Sequence, residues 1–341
     1  MTEISTLGEF ALIKRLTEKI TIRNGSTIRG TGDDAAVLRY ADKETLVTTD
    51  LLLEGIHFDL TYVPMKHLGY KSAVVNFSDV YAMNGQPRQI TVSLGVSKRL
   101  SVEALEDFYE GLRLACEIYG VDIVGGDTSA SLTGLCISIT CIGEAEKGRI
   151  VYRDAASNTD LICVSGDLGA AYMGLQLLER EKTVFRGEKD FEPDFAGKEY
   201  LLERQLKPEA RRDIIKSLHE SDILPTSMID ISDGLSSELL HICHASGVGC
   251  RIYEDRLPID YQTAFMAEQF NMSLTTAALN GGEDYELLFT VPVALHDRIE
   301  AQGGVKIIGF ICEASSGAGL IARDGTEIPL VAQGWTSLTE S

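Results

Sequence analysis

The sequence predicts a mixed α/β protein, of the α+β type in its first half, divided between two domains. Three observations carry that expectation. The chain has 341 residues, more than one hydrophobic core usually serves. Its apolar residues recur every third or fourth position over some stretches and alternate over others, so helices and strands are both present. No Gly-x-x-x-x-Gly-Lys-Ser/Thr or dinucleotide fingerprint occurs, and Gly166–Asp167–Leu168–Gly169 is only a glycine turn.

Taken in order, Phe10, Leu12, Ile13, Leu16 and Ile20 predict a first helix over 8–20, followed by the glycine-rich turn Gly30 to Asp34 and a strand from Ala35. Leu46 to Asp50 is predicted as a strand, with Leu51 to Phe58 as a loop or edge. Pro64 marks the start of a helix over 65–83 whose stripe includes Leu68, Val74, Phe77 and Val80. Gln89 to Val96 alternates as a strand. Ser101 opens a helix that keeps Leu105, Phe108, Leu112, Ala115 and Tyr119 in step until Gly120. Val121 to Val124 reads as a strand that leads into Gly125–Gly126–Asp127, and Leu132 to Gly143 is a further strand. A polar stretch over 148–160 predicts the boundary, giving domains 1–149 and 150–341.

The second half predicts a strand at Leu161 to Val164 and a helix over 170–180. A charged surface insertion or lid follows over 181–199. A helix from Pro208, a strand end at Ile229 to Gly234 and a helix over 235–246 come next. Strands at Val248–Ile252, Glu286–Val291, Val305–Phe310 and Leu320–Ala322 close the sheet, with a partly helical 262–279 between them.

Apolar content of 44% excludes global disorder. A formal charge of −20 argues against a nucleic-acid or anionic-membrane partner. An acidic protein can still take a polyphosphate if cations neutralise the site locally. The seven cysteines have no ligand spacing and read as free thiols, and no apolar leader or 18-residue apolar run occurs, so a cytoplasmic protein is expected. The six histidines form no Cys/His cluster, which argues against zinc.

What remains is a series of carboxylates beside small residues: Asp33, Asp34, Asp50, Asp79, Asp127, Asp230, Asp233, Glu283 and Asp284. Singly, each can be a turn former or helix cap, and Asp233 before Gly234–Leu235 is an obvious cap candidate. Asp79 lies inside a helix among apolar neighbours and Asp50 ends an apolar strand, where a carboxylate needs a partner. A divalent cation is one such partner. Mg2+ takes oxygen ligands and completes its shell with substrate phosphates and water, so this many acids predicts several ions. Hydroxyls of Thr48, Thr49, Ser78, Thr128 and Ser232 beside the acids suit minor ligands or phosphate donors; equally, they are strand formers and caps. Arg153 is a candidate phosphate contact.

Gly32–Asp33–Asp34–Ala35–Ala36, Thr48–Thr49–Asp50, Glu54–Gly55–Ile56–His57–Phe58, Asn76–Phe77–Ser78–Asp79, Gly125–Gly126–Asp127–Thr128, Asp230–Ile231–Ser232–Asp233–Gly234 and Gly281–Gly282–Glu283–Asp284–Tyr285–Glu286–Leu287 follow one another in order. This series resembles the signature of the thiamine-monophosphate kinase family. That family belongs to the superfamily of aminoimidazole-ribonucleotide synthetase, the hydrogenase-maturation protein HypE and selenophosphate synthetase. The likeness spans about residues 7–336; Phe77 and the charged stretch at 181–199 depart from the usual pattern.

The resemblance implies the two-domain fold of that superfamily, with an N-terminal ATP- and Mg-binding domain whose sheet pairs in a homodimer. A C-terminal α/β, sandwich-like domain would complete the substrate site. It implies Mg2+ ligation by Asp34, Thr48, Thr49, Asp50, Asp79, Asp127, Asp230 and Asp233, with Asp50, Asp127 and Asp230 closest to the chemistry. It also implies ATP contacts from Gly126, Arg153 and Ser232, and thiamine monophosphate contacts from His57, Glu283 and Trp335. Trp335 is the single tryptophan; a core anchor and a ring stacked on a cationic heterocycle are both open to it. A monovalent ion such as K+ stands as an open addition to the Mg2+.

The reaction so implied is direct transfer of the ATP γ-phosphoryl group to thiamine monophosphate. Two alternatives stand beside it. Another ATP-using member of the superfamily is one, although selenophosphate synthetase would want a reactive N-terminal cysteine and the first here is Cys116. A non-enzymatic metal-binding module is the other, although its acids would share one short loop, as in an EF-hand.

Overall fold

A computed structural model describes residues 15–29, 37–38, 40, 42–185 and 195–333. The chain forms two compact units, Met1–Ile150 and Val151–Ser341.

The first unit is built on a four-stranded sheet. Its strands are β3 (Glu44–Leu53), β4 (Gln86–Ser97), β5 (Asp122–Ser131) and β6 (Cys136–Ala145), in the order β3-β6-β4-β5. A short antiparallel pair, β1 (Thr27–Arg29) and β2 (Val37–Leu38), precedes it. Alternation decides which face is covered: Leu46 and Leu52 of β3, Ile90, Val92 and Leu94 of β4, and Ile137, Ile139 and Cys141 of β6 are buried.

Two helices, α1 (Met65–Ala82) and α2 (Val102–Tyr119), pack together in this unit. The α1 helix is buried on nearly every side, which explains why its sequence has little polar stripe. Ser101 caps α2 by accepting the Ala104 N–H at 3.3 Å, and Gly120 ends it in the left-handed region at φ 73°. The two helices cross on reciprocal glycines. A Cβ on Gly69 would stand 1.9 Å from the Phe108 carbonyl oxygen, and one on Gly111 would stand 1.7 Å from that of Lys66.

Two boundaries move here. Strand β3, at the sheet edge, pairs residue by residue with β6 as far as Leu53↔Cys136, so Asp50 lies inside the strand and not at its end. Strand β5 does not stop at Val124 but runs straight through Gly125–Gly126–Asp127 beside β4. A pair of glycines reads locally as a break, yet pairing with β4 carries the strand across it.

The second unit holds a seven-stranded sheet in the order β13-β12-β9-β11-β7-β10-β8. Its strands are β7 (Leu161–Ser165), β8 (Ser227–Asp230), β9 (Gly249–Tyr253), β10 (Leu287–Val291), β11 (Val305–Cys312), β12 (Ala318–Ile321) and β13 (Glu327–Pro329). All neighbours are antiparallel except β9 and β12. The helices are α3 (Ala170–Val184), α4 (Glu199–Leu206), α5 (Arg212–Glu220), α6 (Leu235–Ser246), α7 (Tyr261–Gln269), α8 (Leu274–Asn280) and α9 (His296–Glu300).

Leu235, Leu239 and Ile242 of α6 join Ile162, Val164, Leu288 and Ile308 of the sheet in one core. A smaller core gathers Ala170, Met173, Leu201, Met266 and Ala277 from α3, α4, α7 and α8. The helix expected from Pro208 begins at Arg212 instead, and the one expected over 170–180 continues to Val184. Among the described residues no helix is long and apolar enough to cross a membrane, and all seven cysteines are free.

Candidate active site

In the first unit the strand period brings Thr48 and Asp50 to the face of β3 that also carries Leu46 and Leu52. There Asp79 of α1 meets them: the Thr48 hydroxyl donates to Asp79 Oδ2 at 2.5 Å. Burial, and then the charge of Asp79, pushes the Asp50 carboxyl up to about 7. Two acids crowded in this way favour a cation between them.

Asp122 makes the contrast. It too is a strand acid, fully buried where Asp50 is half-buried, but it accepts the N–H of Asn24 at 2.9 Å and the Thr27 hydroxyl at 2.6 Å, and so is spent on holding the chain at the start of β1.

Thr49 faces the other side of the sheet. Its hydroxyl donates to the Ile139 carbonyl at 3.1 Å and lies 3.2 Å from the Thr140 hydroxyl. Asp127 is exposed on β5, and the register aligns it with Ser93, Ser138 and Leu51, whereas Asp50 aligns with Ile139, Val92 and Gly126. Asp127 therefore lies three strands from Asp50, about 14 Å at the usual strand spacing, and on the opposite face. Gly126 beside it is exposed, and a Cβ there would meet the Val92 carbonyl oxygen at 1.9 Å. His57 accepts the Leu53 N–H at Nδ1 over 3.1 Å, which puts the proton of a neutral ring on Nε2. Glu54 steadies this turn by accepting from Leu135 N at 2.7 Å and Arg99 at 3.1 Å.

In the second unit two motifs lie zipped together. The Ile231 N–H donates to Glu286 O, Tyr285 N–H to Ile231 O, and Glu283 N–H to Ser232 O. These bonds lock the 230–234 loop against the 281–286 loop and extend the pairing of β8 with β10. Glu283 and Tyr285 adopt φ of 56° and 51°, a region ordinary residues avoid unless their surroundings impose it. Asp230 is buried at the end of β8, and Ser232 and Asp233 are exposed. Asp233 makes no side-chain cap for α6; its N–H instead donates to Glu238 Oε1 at 2.9 Å.

Glu238, at 2% exposure, was not expected among the site residues. Burial, with Asp233 and Asp230 nearby, drives its carboxyl up to about 8, and its Oε2 accepts no hydrogen bond among the described residues. The sequence held a signal for it: a glutamate on the side of α6 that carries Leu235, Leu239 and Ile242. Behind the loops, Arg204 and Arg211 pair with the buried Glu286, the first at 2.9 Å. Asp284 accepts from Gly169 N at 3.0 Å. Burial pushes the Asp284 carboxyl up to about 7, with Arg204 opposing.

Arg153 is exposed, its carbonyl accepting from the Ser246 hydroxyl at 3.1 Å. Asp33, Asp34 and Trp335 lie outside the described residues. Among the described residues no three His, Cys, Asp or Glu side chains stand together as a ready-made metal cage. What each unit offers is a few oxygen donors: Thr48, Asp50 and Asp79 in one, and in the other Asp230 and Asp233, at the two ends of the loop that Glu238 braces. Such donor sets suit Mg2+, which fills the rest of its shell with phosphate and water.

Residues 32–145 match the family model for AIR synthase related protein, N-terminal domain. The chain is 38% identical over 289 residues to the thiamine-monophosphate kinase of Aquifex aeolicus, covering 85% of this chain and 87% of that protein. It is 32% identical over 337 residues to the one from Bacillus subtilis, covering 96% and 99%. Among solved structures, "AaThiL complexed with AMPPCP and TMP" matches with a TM-score of 0.75, 35% identity and 99% of both chains covered. With the ordered acid motifs and both sheets accounted for over nearly its whole length, the chain belongs to the thiamine-monophosphate kinase family.

Proposed function

We propose that the chain transfers the γ-phosphoryl group of ATP to the phosphate of thiamine monophosphate, yielding thiamine diphosphate and ADP. The observation that carries this reading is the end-to-end likeness to a structure holding AMPPCP, an ATP analogue, together with TMP. The carboxylates that each unit presents suit cations that a phosphoryl transfer needs, which supports the same reading.

The acceptor is itself a phosphate oxygen, whose second pKa is about 6, so it is largely ionised at neutral pH and needs no general base. What opposes the reaction is repulsion: two unit charges about 4 Å apart repel by roughly 4 kcal/mol at an effective dielectric of 20. Bound Mg2+ supplies the countercharge that lets both phosphates approach and steadies charge on the transferred group.

In this reading Thr48, Asp50 and Asp79, together with Asp34, Thr49 and Asp127, hold ions on the first unit. Asp230 and Asp233 hold them on the second, and Glu238 supports their loop. Gly126, Arg153 and Ser232 contact ATP. His57, Glu283 and Trp335 contact the thiamine substrate, with Glu283 facing its cationic part. The acceptor phosphate is itself the nucleophile, so transfer is direct in this reading.

A homodimer paired through the first unit's sheet belongs to the same proposal. Supporting it, Val47 and Leu51 on edge strand β3 are 67% and 53% exposed on one face.

ADP release, coupled to a reporter, tests the reaction. Release should require both thiamine monophosphate and Mg2+ and stop on chelation. Release that ignores thiamine monophosphate but responds to formylglycinamidine ribonucleotide or selenide would assign the chain another activity of its superfamily.

A further inference from the structure

We propose that Gln205 is a positioning residue for substrate recognition, holding the Glu283 carboxylate in the direction that meets the thiamine substrate. The proposal rests on the reading of Glu283 as a substrate contact and adds a residue which that reading leaves out.

The geometry begins with the loop. Gly282 at φ 70° and Glu283 at φ 56° set a backbone that the bonds from Glu283 N to Ser232 O and from Tyr285 N to Ile231 O keep in place. That fixes the Glu283 Cα, not its carboxylate, which lies three side-chain torsions further out. The torsions are held from α4: Gln205 Nε2 donates to Glu283 Oε2 at 2.7 Å.

Gln205 is 6% exposed, and its helix is anchored independently of this bond. One residue earlier, Arg204 donates to the Asp167 carbonyl at 2.9 Å and pairs with Glu286 at 2.9 Å. One turn earlier, the Tyr200 hydroxyl donates to Asp167 Oδ1 at 2.6 Å. One turn before Gln205 on the same face of α4, Leu201 packs against Ala170, Met173 and Met266. The Gln205 amide is thus presented from a pinned helix to a pinned loop. An amide also suits the task chemically. It directs a carboxylate without adding positive charge of its own; an Arg or Lys in its place would compete with a cationic heteroaromatic ligand.

Gln205→Met keeps the volume and removes the donor. It should raise KM for thiamine monophosphate about tenfold, leave KM for ATP unchanged and keep kcat within about twofold. Glu283→Ala should raise the same KM, and adding Gln205→Met to it should cost nothing more, because the amide then has nothing to direct. Melting temperatures of all variants are recorded alongside; if Gln205→Met does not fold, Gln205→Leu, similar in volume and likewise without a donor or a charge, takes its place. Unchanged KM in the Gln205 variant, an equal rise for both substrates, or an additive loss in the double variant would overturn the proposal. Glu283→Ala with an unaltered KM would instead remove Glu283 from the substrate site, and the role of Gln205 with it.

Discussion

The Thr48 hydroxyl donates to the Asp79 carboxylate at 2.5 Å, tying the middle of β3 to the last turns of α1. Asp50, two residues along the same strand face, is left crowded by Asp79 and raised to about 7 by burial and that neighbour. The strand therefore spends stability at this spot to keep two carboxylates together. Asp50→Asn should lower kcat by at least about a hundredfold, on the scale of losing one charge-stabilising group from an active site. Melting of the metal-free variant should be no lower than wild type, because an amide of the same shape relieves the crowding. A variant that melts earlier and keeps its turnover would show that Asp50 is there for the fold.

The crossing of α1 and α2 makes a different demand. Gly69 and Gly111 let backbone press on backbone, and a methyl group at either would overlap a carbonyl oxygen of the facing helix. Neither is in the left-handed region, so the requirement is closeness rather than backbone freedom. Gly111→Ala should destabilise by about 1–3 kcal/mol or more, as overpacking of a close core does, while an alanine at Gly303, where a Cβ meets nothing within 4 Å, costs less. Urea unfolding of both variants checks this. Because α1 carries Asp79, the Gly111 variant should also lose activity as the helix shifts, with the loss growing on warming.

Much of the frame was legible in the sequence, and the limits are physical. Ser101 and Gly120 act through bonds to residues four or fewer positions away, so the ends of α2 could be read locally. The strand at Leu46 to Asp50 could likewise be read locally, though which of Thr48, Thr49 and Asp50 share a face follows only from its alternation in the sheet. What the sequence could not supply was register. Asp127 looks like Asp50 as text, a carboxylate in a short apolar stretch, but pairing across β6 and β4 puts the two on opposite faces and three strands apart. Gln205 was hidden for a similar reason: its contact with Glu283 spans 78 positions of chain. Nothing local separates it from a solvated helix glutamine.

Glu144 gives a pH dependence with a definite sign. Burial opposes its ionisation, but hydrogen bonds from Lys43 and Arg88 outweigh that and hold its carboxyl below the usual glutamate range. A group depressed in the folded state adds stability above its unfolded pKa and loses it as the pH falls through the folded one. Wild type should therefore exceed Glu144→Gln in stability near pH 7, and the gap should close by about pH 3. Denaturant melts of both proteins at the two pH values measure it; a gap that widens on acidification would show that the ion pairs are not what holds β3, β4 and β6 at this end.

Val47 and Leu51 stand on the same outer face of β3 as Thr49, at the edge of a four-stranded sheet. A lone exposed valine is ordinary, but a valine and a leucine four residues apart on one face of an edge strand form a surface open to pairing. Half-buried Ile142, directly opposite Val47 on β6, extends the apolar strip across the next strand. If a second copy covers this face, each side chain contributes about 1.5–3 kcal/mol on burial, and a charge there is left without water. Val47→Lys with Leu51→Lys should then turn a dimer into monomers by sedimentation equilibrium. The fold should survive, since neither side chain enters the core of its own unit. Turnover tells whether pairing also matters for the reaction: Asp127, set apart from Asp50 within one chain, would gain its metal partners only from another copy, and the monomeric variant should then be inactive. A wild type that sediments as a monomer, or a lysine variant that stays dimeric, would place the contact elsewhere.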